Sequence, residues 1–373
     1  MSETQRPSFS PGLKDVFADE SRICEVDPNA GLHYRGYDVH DLAVKAPFEN
    51  VAFLLLNGEL PTAEQSRQFH AALALAQTVP DPVLAMLRLL PREAHPIDAL
   101  RTAVSMLASF DPDLQDNSHD ANLRKATRLV SRITTLTTAS WRIAHGQPLS
   151  PPRNDLNLSA RFVYGLTGRE PQKWEADAFN TIFILYAEHE FNASTFAARV
   201  TASTLADMYA AITSALGALK GPLHGGANED AMKVIEEIGS SERVDAWCAD
   251  RLARHEKIAG IGHRVYRSGD SRVPAMRQLA RDLAKRYGKE KMVAICEEME
   301  AVMQRRKNLC ANLDLYAAPV LAMLDIPVPL NTPVFACARI AGWCAHVIEQ
   351  HDHNRLIRPR CVYVGPAPRP YPA

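Results

Sequence analysis

The sequence lacks the features that would place a protein in a membrane, outside the cell or on nucleic acid. It has no apolar run of about 18 residues, so no membrane-spanning segment is expected. Its 42 lysines and arginines nearly balance its 43 aspartates and glutamates, which argues against a basic surface for nucleic acid or anionic lipid. Residues 1–11 are polar and lack the apolar core of a signal peptide. We therefore expect a soluble, cytoplasmic protein with neither nucleic-acid nor membrane partners.

Cysteine pairs at metal-binding or redox spacing are also missing. The chain has 7 cysteines, an odd number, and no two of them form a C-x-x-C motif. A disulfide framework and structural zinc are therefore not expected, and a reducing cytoplasm fits the pattern best.

What the sequence has in abundance is helical periodicity. Apolar residues recur at three- and four-residue spacing in the segments 63–76, 97–110, 121–145, 174–188, 193–218, 227–238, 244–254, 274–287 and 289–307. Strand-like stretches are limited to residues 23–26, 32–35 and 361–364. At 373 residues the chain exceeds one ordinary domain of about 150 residues. The pattern predicts an all-α protein of about two domains.

Residues 331–350 predict an unusual helix, because they are apolar or small on every side. Asn331 or Thr332 is suited to cap this helix and Pro333 to occupy its first position. Such a helix is normally buried, yet Arg339 lies inside it. A buried guanidinium needs an anion, and either a structural carboxylate or another anion satisfies that need. The sequence leaves both interpretations open.

The segment 220–230, KGPLHGGANED, places His224 among three glycines at a predicted helix start. Glycine allows the backbone to come close to a ligand. The positive end of the helix dipole disfavours a protonated imidazole, and a neutral ring can donate a hydrogen bond to a carbonyl oxygen that gains negative charge. The competing interpretation is a turn between two helices in which His224 merely caps the second.

Two further segments carry candidate chemistry. Residues 258–272, IAGIGHRVYRSGDSR, place His263 beside glycines with Arg267 and Arg272 close behind it. This pattern indicates an anion site with a hydrogen-bond donor or, alternatively, a solvated basic loop. Residues 307–314, KNLCANLD, end on Asp314 near a predicted helix start. The carboxylate there is either an N-cap or a base.

Histidines and carboxylates also raise two metal interpretations. The HDH motif at 351–353 offers ligands, but its position in a predicted polar turn favours a solvated loop. His224, His263 and Asp314 would suit a two-histidine, one-carboxylate iron site. Because the flanking arginines would repel a cation, no metal is expected.

Together, these segments resemble the citrate synthase family, of its short dimeric bacterial type, over nearly the whole chain. The similarity extends to GLKDV at 12–16, YRGY at 34–37, NGELPT at 57–62, EHE at 188–190 and NRLIRP at 354–359, in the family's order. It implies a large helical domain, residues 1–220 and 325–373, and a smaller mobile domain, residues 221–324. It also implies an acyltransferase of the tricarboxylic acid cycle that condenses acetyl-CoA with oxaloacetate and water to citrate and CoA, with no cofactor beyond its substrates.

The resemblance also implies a role for each matching residue. Asp314 takes the methyl proton of acetyl-CoA, His224 donates to the thioester oxygen and His263 polarises the oxaloacetate ketone. The matching oxaloacetate ligands are His189, Arg272, Arg339 and Arg358, the last of which reaches the partner's site in a homodimer. The matching CoA-binding positions are Arg267, Lys307, Asn312 and the backbone of Ile258, Ala259, Gly260, Ile261 and Gly262.

The chain departs from the family pattern at four places. Ser271 stands where proline is usual, Cys310-Ala311 replaces an aromatic-proline pair, Ala317-Ala318 replaces a serine and a small residue, and Asn57 replaces a frequent histidine. None of these changes removes a catalytic group, but Cys310-Ala311 changes the packing beside Asp314.

Two alternatives to citrate synthase remain open on the sequence. A 2-methylcitrate synthase shares every catalytic residue and takes propionyl-CoA, and one methylene is worth only about 1–3 kcal/mol of discrimination. A catalytically weak homologue with a binding or structural role is the alternative of another class, and the four departures motivate it.

Overall fold

The structure is a computed structural model that describes residues 9–28, 31–263, 265–266 and 269–372. Within these residues the chain forms sixteen α-helices and one three-stranded antiparallel sheet, so the all-α prediction is confirmed. The helices are α1 Val39–Lys45, α2 Phe48–Asn57, α3 Ala63–Leu75, α4 Asp81–Leu89, α5 Pro96–Leu107, α6 His119–Ala144, α7 Leu158–Thr167, α8 Lys173–Tyr186, α9 Ala193–Ala202, α10 Met208–Leu219, α11 Ala227–Ile238, α12 Val244–Ala253, α13 Val273–Tyr287, α14 Glu290–Lys307, α15 Leu313–Met323 and α16 Asn331–Asp352. The strands are β1 Cys24–Asp27, β2 Gly31–Tyr34 and β3 Tyr37–Asp38.

Local sequence sets many of the helix ends. Thr62 and Gln65 form a reciprocal capping box at the start of α3, and the side chains of Asn192 and Asp207 cap α9 and α10. Glycine in the left-handed conformation closes α2, α7, α11 and α13, at Gly58, Gly168, Gly239 and Gly288. These signals explain why the periodic segments stop where they do.

Helix α16 runs through the core, as its composition predicts. All of its residues from 331 to 348 are buried, and it packs against α2, α6, α8, α9 and α10. The predicted capping is wrong, because the helix begins at Asn331 itself and follows Leu330. The Asn331 amide instead donates to Asn228 Oδ1 at 3.2 Å, and the Thr332 hydroxyl donates to Glu229. These side chains tie α16 to α11.

Helices α11 to α15 form a second group. Helices α11, α13 and α14 surround α15, and α12 lies against α14. This group meets the first where α11 contacts α16 and where α13 contacts α8. Asp314 lies in α15, and Arg339 lies in α16. These two candidate site residues therefore lie on opposite sides of the boundary between the two groups of helices.

Three smaller findings complete the fold. Residues 361–364 form no strand, contrary to the prediction, because they lie at or near the surface and no neighbouring strand pairs with them in the described chain. All seven cysteines fall within the described residues, and none of them forms a disulfide. None of the helices in the described part of the chain has the length and apolar character needed to span a membrane.

Candidate active site

Asp314 lies in the first turn of α15, but it does not cap the helix. Asn312 is the N-cap, and its Oδ1 accepts a hydrogen bond from the Asp314 amide at 3.1 Å. The Asp314 carboxylate is therefore not used for capping. Its Oδ1 accepts a hydrogen bond from the Tyr186 hydroxyl at 2.7 Å. Burial raises the pKa of Asp314, while the Tyr186 hydrogen bond and the charge of Arg272 oppose the rise. A raised carboxylate pKa suits a general base.

His224 lies in the turn before α11 and also caps nothing. The helix begins at Ala227, with Gly226 at its N-cap and no capping side chain. The imidazole edge faces the Phe335 ring, with the centroids 5.9 Å apart. Burial lowers the pKa of His224 to about 3, and the charge of Arg339 acts in the same direction. The ring is therefore neutral at physiological pH, chiefly because of burial rather than the helix dipole.

Ser194 holds one ring nitrogen of His224. His224 Nε2 lies 2.7 Å from Ser194 Oγ, and Trp343 Nε1 donates to the same oxygen at 3.1 Å. The serine proton has two acceptors within reach, Nε2 and Asn192 Oδ1, which lies 2.8 Å from the hydroxyl. In the arrangement in which the serine donates to Nε2, the ring proton sits on Nδ1 and is available to a ligand.

His263 has its tautomer fixed by the backbone. Its Nδ1 accepts hydrogen bonds from the amides of Val265 and Tyr266, each at 3.1 Å. Burial lowers the pKa of His263 to about 4, and Arg272 lowers it further while Asp270 opposes the effect. A neutral ring that accepts at Nδ1 carries its proton on Nε2. His263 is therefore a neutral hydrogen-bond donor at Nε2.

His189 lies directly against His263. The two rings meet edge to face with centroids 5.0 Å apart, and His189 Nε2 lies 3.3 Å from the Tyr266 hydroxyl. That hydroxyl also lies 3.1 Å from the hydroxyl of Ser271, so the first departure from the family pattern contributes a polar contact here. Burial lowers the pKa of His189 well below its usual value, with help from Arg272. A second neutral imidazole thus faces the same space.

Arg272 is held by a carboxylate two residues before it. Its Nε and Nη2 donate to the two oxygens of Asp270 at 2.9 and 2.8 Å. Asp270 Oδ2 also accepts the Leu313 amide at 3.1 Å, which joins this loop to the start of α15. Burial raises the pKa of Asp270, but Arg272 outweighs this effect and leaves the pKa below its usual value. Asp270 therefore fixes Arg272 beside the helix that carries Asp314.

Arg339 is one of four buried cations that form no ion pair among the described residues, together with Lys125, Arg142 and Arg161. Its Nε donates to the Tyr186 carbonyl oxygen at 2.6 Å, and its guanidinium lies over the Phe335 ring, 4.7 Å from the centroid. Among the described residues no carboxylate forms an ion pair with it, and its Nη1 has no hydrogen-bond partner. Arg199 is equally buried but pairs with Glu349 at 2.8 Å. This contrast favours the interpretation that Arg339 binds the anion of a ligand and not a carboxylate of the chain itself.

The glycine loop at 258–262 docks on the segment before α15. The Asn312 amide donates to the Gly260 carbonyl at 2.9 Å, and the Gly262 amide donates to the Cys310 carbonyl at 2.7 Å. The Asn312 side chain donates to the Gly262 carbonyl at 3.0 Å. Ala311 pairs with Ile261 as an isolated bridge. The Cys310-Ala311 departure thus acts through backbone contacts that hold the loop close to Asp314.

The other predicted binding residues are placed less centrally. Lys307 is exposed at the last position of α14, and Arg267 lies outside the described residues. Arg358 is exposed beyond α16, in a segment whose Ile357 amide donates to Ser203 Oγ at 3.1 Å. The structure of this one chain therefore does not bring Arg358 to the histidines.

The geometry also bears on the two metal interpretations. His351 is part of α16, and its ring nitrogens lie 3.0 Å from the Asn122 amide and 3.1 Å from the Ala206 carbonyl. The predicted polar turn is therefore wrong, because the helix extends to Asp352. Across the described residues, no three histidine, cysteine or acidic side chains come together as metal ligands.

Sequence reasoning missed three residues that organise this site. Asp270 had a local signal, an acidic residue two positions before an arginine in a glycine-rich loop. Tyr186 and Ser194 had none, because their partners Asp314 and His224 lie 128 and 30 positions away along the chain.

Comparison with known proteins relates nearly the whole chain to one family. Residues 12–360 match the model of the citrate synthase C-terminal domain. A citrate synthase of Heyndrickxia coagulans is 42% identical over 96% of each chain, and a citrate/2-methylcitrate synthase of Bacillus subtilis strain 168 is 42% identical over 97% of this chain and 98% of its own. The ternary complex of Thermoplasma acidophilum citrate synthase with carboxymethyl coenzyme A and oxaloacetate superposes with a TM-score of 0.93, at 35% identity over 98% of each chain.

Proposed function

The chain belongs to the citrate synthase family and is an enzyme of the citrate synthase type, and we propose that it condenses acetyl-CoA with oxaloacetate and water to citrate and CoA. The observation that carries the proposal is that Arg339 is buried and forms no ion pair with a described carboxylate. It lies in the same site as Asp314, whose pKa is raised, and His224, whose ring is neutral. A dianionic substrate supplies the missing negative charge. The carboxylate and the imidazoles then perform the chemistry on the acyl group.

The first step is removal of a proton from the acetyl methyl group. A thioester methyl is a very weak carbon acid, so a carboxylate base needs help from a donor at the thioester oxygen. We assign the base to Asp314 and the donor to His224, in the arrangement in which Ser194 donates to Nε2 and the ring proton sits on Nδ1. Because His224 has a pKa of about 3, it donates a hydrogen bond as a neutral ring.

The second step joins the enol carbon to the ketone carbon of oxaloacetate. His263 donates from Nε2 to the ketone oxygen, because its Nδ1 is already occupied by two backbone amides. The new carbon–carbon bond places negative charge on that oxygen, which the donor stabilises. Water then hydrolyses the citryl thioester and releases CoA.

The oxaloacetate carboxylates are assigned to Arg272, Arg339 and His189. Arg272 is pre-oriented by Asp270, so little side-chain freedom remains to be lost on binding. Arg339 gains the anion that its burial requires. Arg358 is assigned to the partner subunit's site in a homodimer, and its exposure on this chain supports that assignment.

CoA is assigned to the loop that precedes His263. The backbone of residues 258–262 is held against Asn312, and Lys307 and Arg267 supply cations for the phosphates.

The helices around α15 support a smaller domain of residues 221–324, which closes on a large domain of residues 1–220 and 325–373. Seven cysteines without a disulfide support a reducing, cytoplasmic setting.

The acyl-CoA remains to be chosen between two candidates. One relative carries both the citrate synthase and the 2-methylcitrate synthase names, so propionyl-CoA is the second candidate. The test is release of free CoA in the presence of oxaloacetate with each thioester. We expect acetyl-CoA to give the higher kcat/KM. A large preference for propionyl-CoA would reassign the protein as a 2-methylcitrate synthase, and no release from either would leave a binding or structural role.

A further inference from the structure

Tyr186 links four helices at the point where the base is held. It is the last residue of α8, and its hydroxyl donates to Asp314 Oδ1 in α15 at 2.7 Å. The same hydroxyl accepts from the Asn228 amide in α11 at 2.9 Å. Asn228 Oδ1 in turn accepts from the Asn331 amide of α16 at 3.2 Å. All of these side chains except Asp314 are almost completely buried.

The direction of this chain of hydrogen bonds is fixed by chemistry. An ionised carboxylate can only accept, so the single phenolic proton goes to Asp314. The phenolic oxygen must then accept, and the Asn228 amide nitrogen can only donate. Each group has one possible role, and the chain ends on the carboxylate. A chain of this kind aligns its last member more tightly than one isolated contact.

Tyr186 is also held at its backbone and its ring. Its carbonyl oxygen accepts from Arg339 Nε at 2.6 Å, and its ring packs edge to face against Phe335 with centroids 4.5 Å apart. The residue therefore touches the arginine proposed for oxaloacetate and the carboxylate proposed as the base. Neither contact leaves the phenol much freedom to turn away from Asp314.

We propose that Tyr186 is the positioning residue for the base, Asp314. The Tyr186 hydroxyl holds Asp314 Oδ1, so that the other carboxylate oxygen faces the acyl methyl group. This inference rests on the proposed function of Asp314. The hydrogen bond joins the two groups of helices, so it forms only when α15 and α8 lie together. The base is thus correctly oriented only in the assembled site.

The charges around Asp314 predict the direction of a pH effect. Arg272 and Asp270 face it from the loop before α13, Arg339 faces it from α16, and Tyr186 faces it from α8. Of the described side chains, the Tyr186 side chain alone donates a hydrogen bond to the carboxylate. Donation to the ionised form lowers the pKa of Asp314. Loss of the hydroxyl therefore raises this pKa.

The test is Tyr186→Phe in the full-length protein, with oxaloacetate and acetyl-CoA. A hydrogen bond to a charged group corresponds to a loss of about 10- to 100-fold in kcat. We expect that loss with little change in the KM for oxaloacetate. The acid limb of the kcat profile, which requires ionised Asp314, moves to higher pH. The isotope effect with trideuteroacetyl-CoA increases, because proton removal becomes slower.

The matched control is Tyr209→Phe, which removes the hydrogen bond from another buried phenol to an aspartate, Asp111; neither residue is assigned to the site. We expect reduced stability without movement of the acid limb. Asn228→Ala tests the same inference in a second way, because it removes the amide that orients the Tyr186 phenol. We expect it to move the acid limb of the kcat profile to higher pH, but by less than Tyr186→Phe.

An unchanged kcat and acid limb in Tyr186→Phe, or a loss of stability alone as in the control, would overturn the inference. If the unmodified protein releases no CoA, the proposed function fails instead. A carbon-13 NMR titration of Asp314 then still decides the inference: a higher pKa in Tyr186→Phe supports it, and an equal pKa overturns it.

Discussion

At the scale of single residues, the site consists of groups whose burial is costly to the fold. Three histidines are held neutral by burial, and Arg339 is held charged with no carboxylate partner among the described residues. Such groups persist where a ligand uses them, because a fold selected only for stability would replace them with apolar side chains. Arg199, which is equally buried and paired with Glu349, is an arginine that serves the fold.

The contrast between these arginines predicts different effects for the same substitution: a loss of oxaloacetate binding at Arg339 and a loss of stability at Arg199. Arg339→Met removes a buried charge that forms no ion pair and is offset only by the more distant Glu188 carboxylate, so we expect a stability within about 1 kcal/mol of the unmodified protein. The KM for oxaloacetate rises by about 30-fold or more, because a buried charge contact worth about 2 kcal/mol is lost. Arg199→Met leaves Glu349 without its partner and lowers stability by about 3 kcal/mol.

Thermal unfolding with and without oxaloacetate, together with initial rates, checks this pair. Oxaloacetate should raise the melting temperature of the unmodified protein and of Arg199→Met, but not that of Arg339→Met. An Arg339→Met protein that is strongly destabilised and still binds oxaloacetate normally would show that this arginine serves the fold.

At the scale of elements, turns place the chemistry and helices hold the turns. His224 and His263 both lie in glycine-rich turns, and Asp314 lies in the first turn of a helix. Gly260 has a φ of +81°, and a Cβ there would lie 2.9 Å from Leu315 Cβ. Gly262 has a φ of +86° but no described atom within 4 Å of a Cβ. Only Gly260 is required by both conformation and close approach.

Alanine at these two glycines separates the two requirements. Gly262→Ala incurs the left-handed backbone strain of about 1–2 kcal/mol. Gly260→Ala incurs this strain and also pushes the loop away from α15, at a further cost of about 1–3 kcal/mol. We expect Gly260→Ala to be the less stable of the two and to show the higher KM for acyl-CoA, as measured by denaturant unfolding and steady-state rates. Equal effects would mean that loop docking on α15 does not shape the CoA site.

The helices and the glycine turns could be read from the sequence, because both depend on residues close together in the chain. The apolar and small residues on every side of segment 331–350 predicted α16 and its burial, and the glycines marked His224 and His263. The strand expected at residues 361–364 did not form, because a strand needs a neighbour that local sequence does not provide. Tyr186 and Ser194 could not be predicted, because only the packing of α8 and α9 brings them to their partners.

At the scale of the whole molecule, the proposed homodimer completes each site with Arg358 of the other subunit. On this chain Arg358 is exposed, and the segment before it is anchored by Asn354, whose amide donates to the Ser203 carbonyl at 3.1 Å. In a symmetric dimer each subunit gives its arginine to the other and receives one in return. A defect in Arg358 and a defect in His224 then impair different sites.

Mixed dimers provide the corresponding prediction. Arg358→Ala and His224→Ala should each be nearly inactive alone. When equal amounts are unfolded together and refolded, half of the dimers pair one variant with the other, and each such dimer holds one intact site. We expect recovery of about one quarter of the unmodified activity. No recovery would mean that Arg358 acts within its own subunit or outside the site.

The most direct test of the whole account is release of free CoA from acetyl-CoA by the unmodified protein and by Asp314→Asn, with oxaloacetate binding measured in parallel. The amide keeps the size of the side chain but cannot accept the methyl proton. We predict oxaloacetate-dependent release by the unmodified protein, no detectable turnover by Asp314→Asn, and oxaloacetate binding by both. Turnover by Asp314→Asn at the unmodified rate would contradict the assignment of the base and the mechanism built on it.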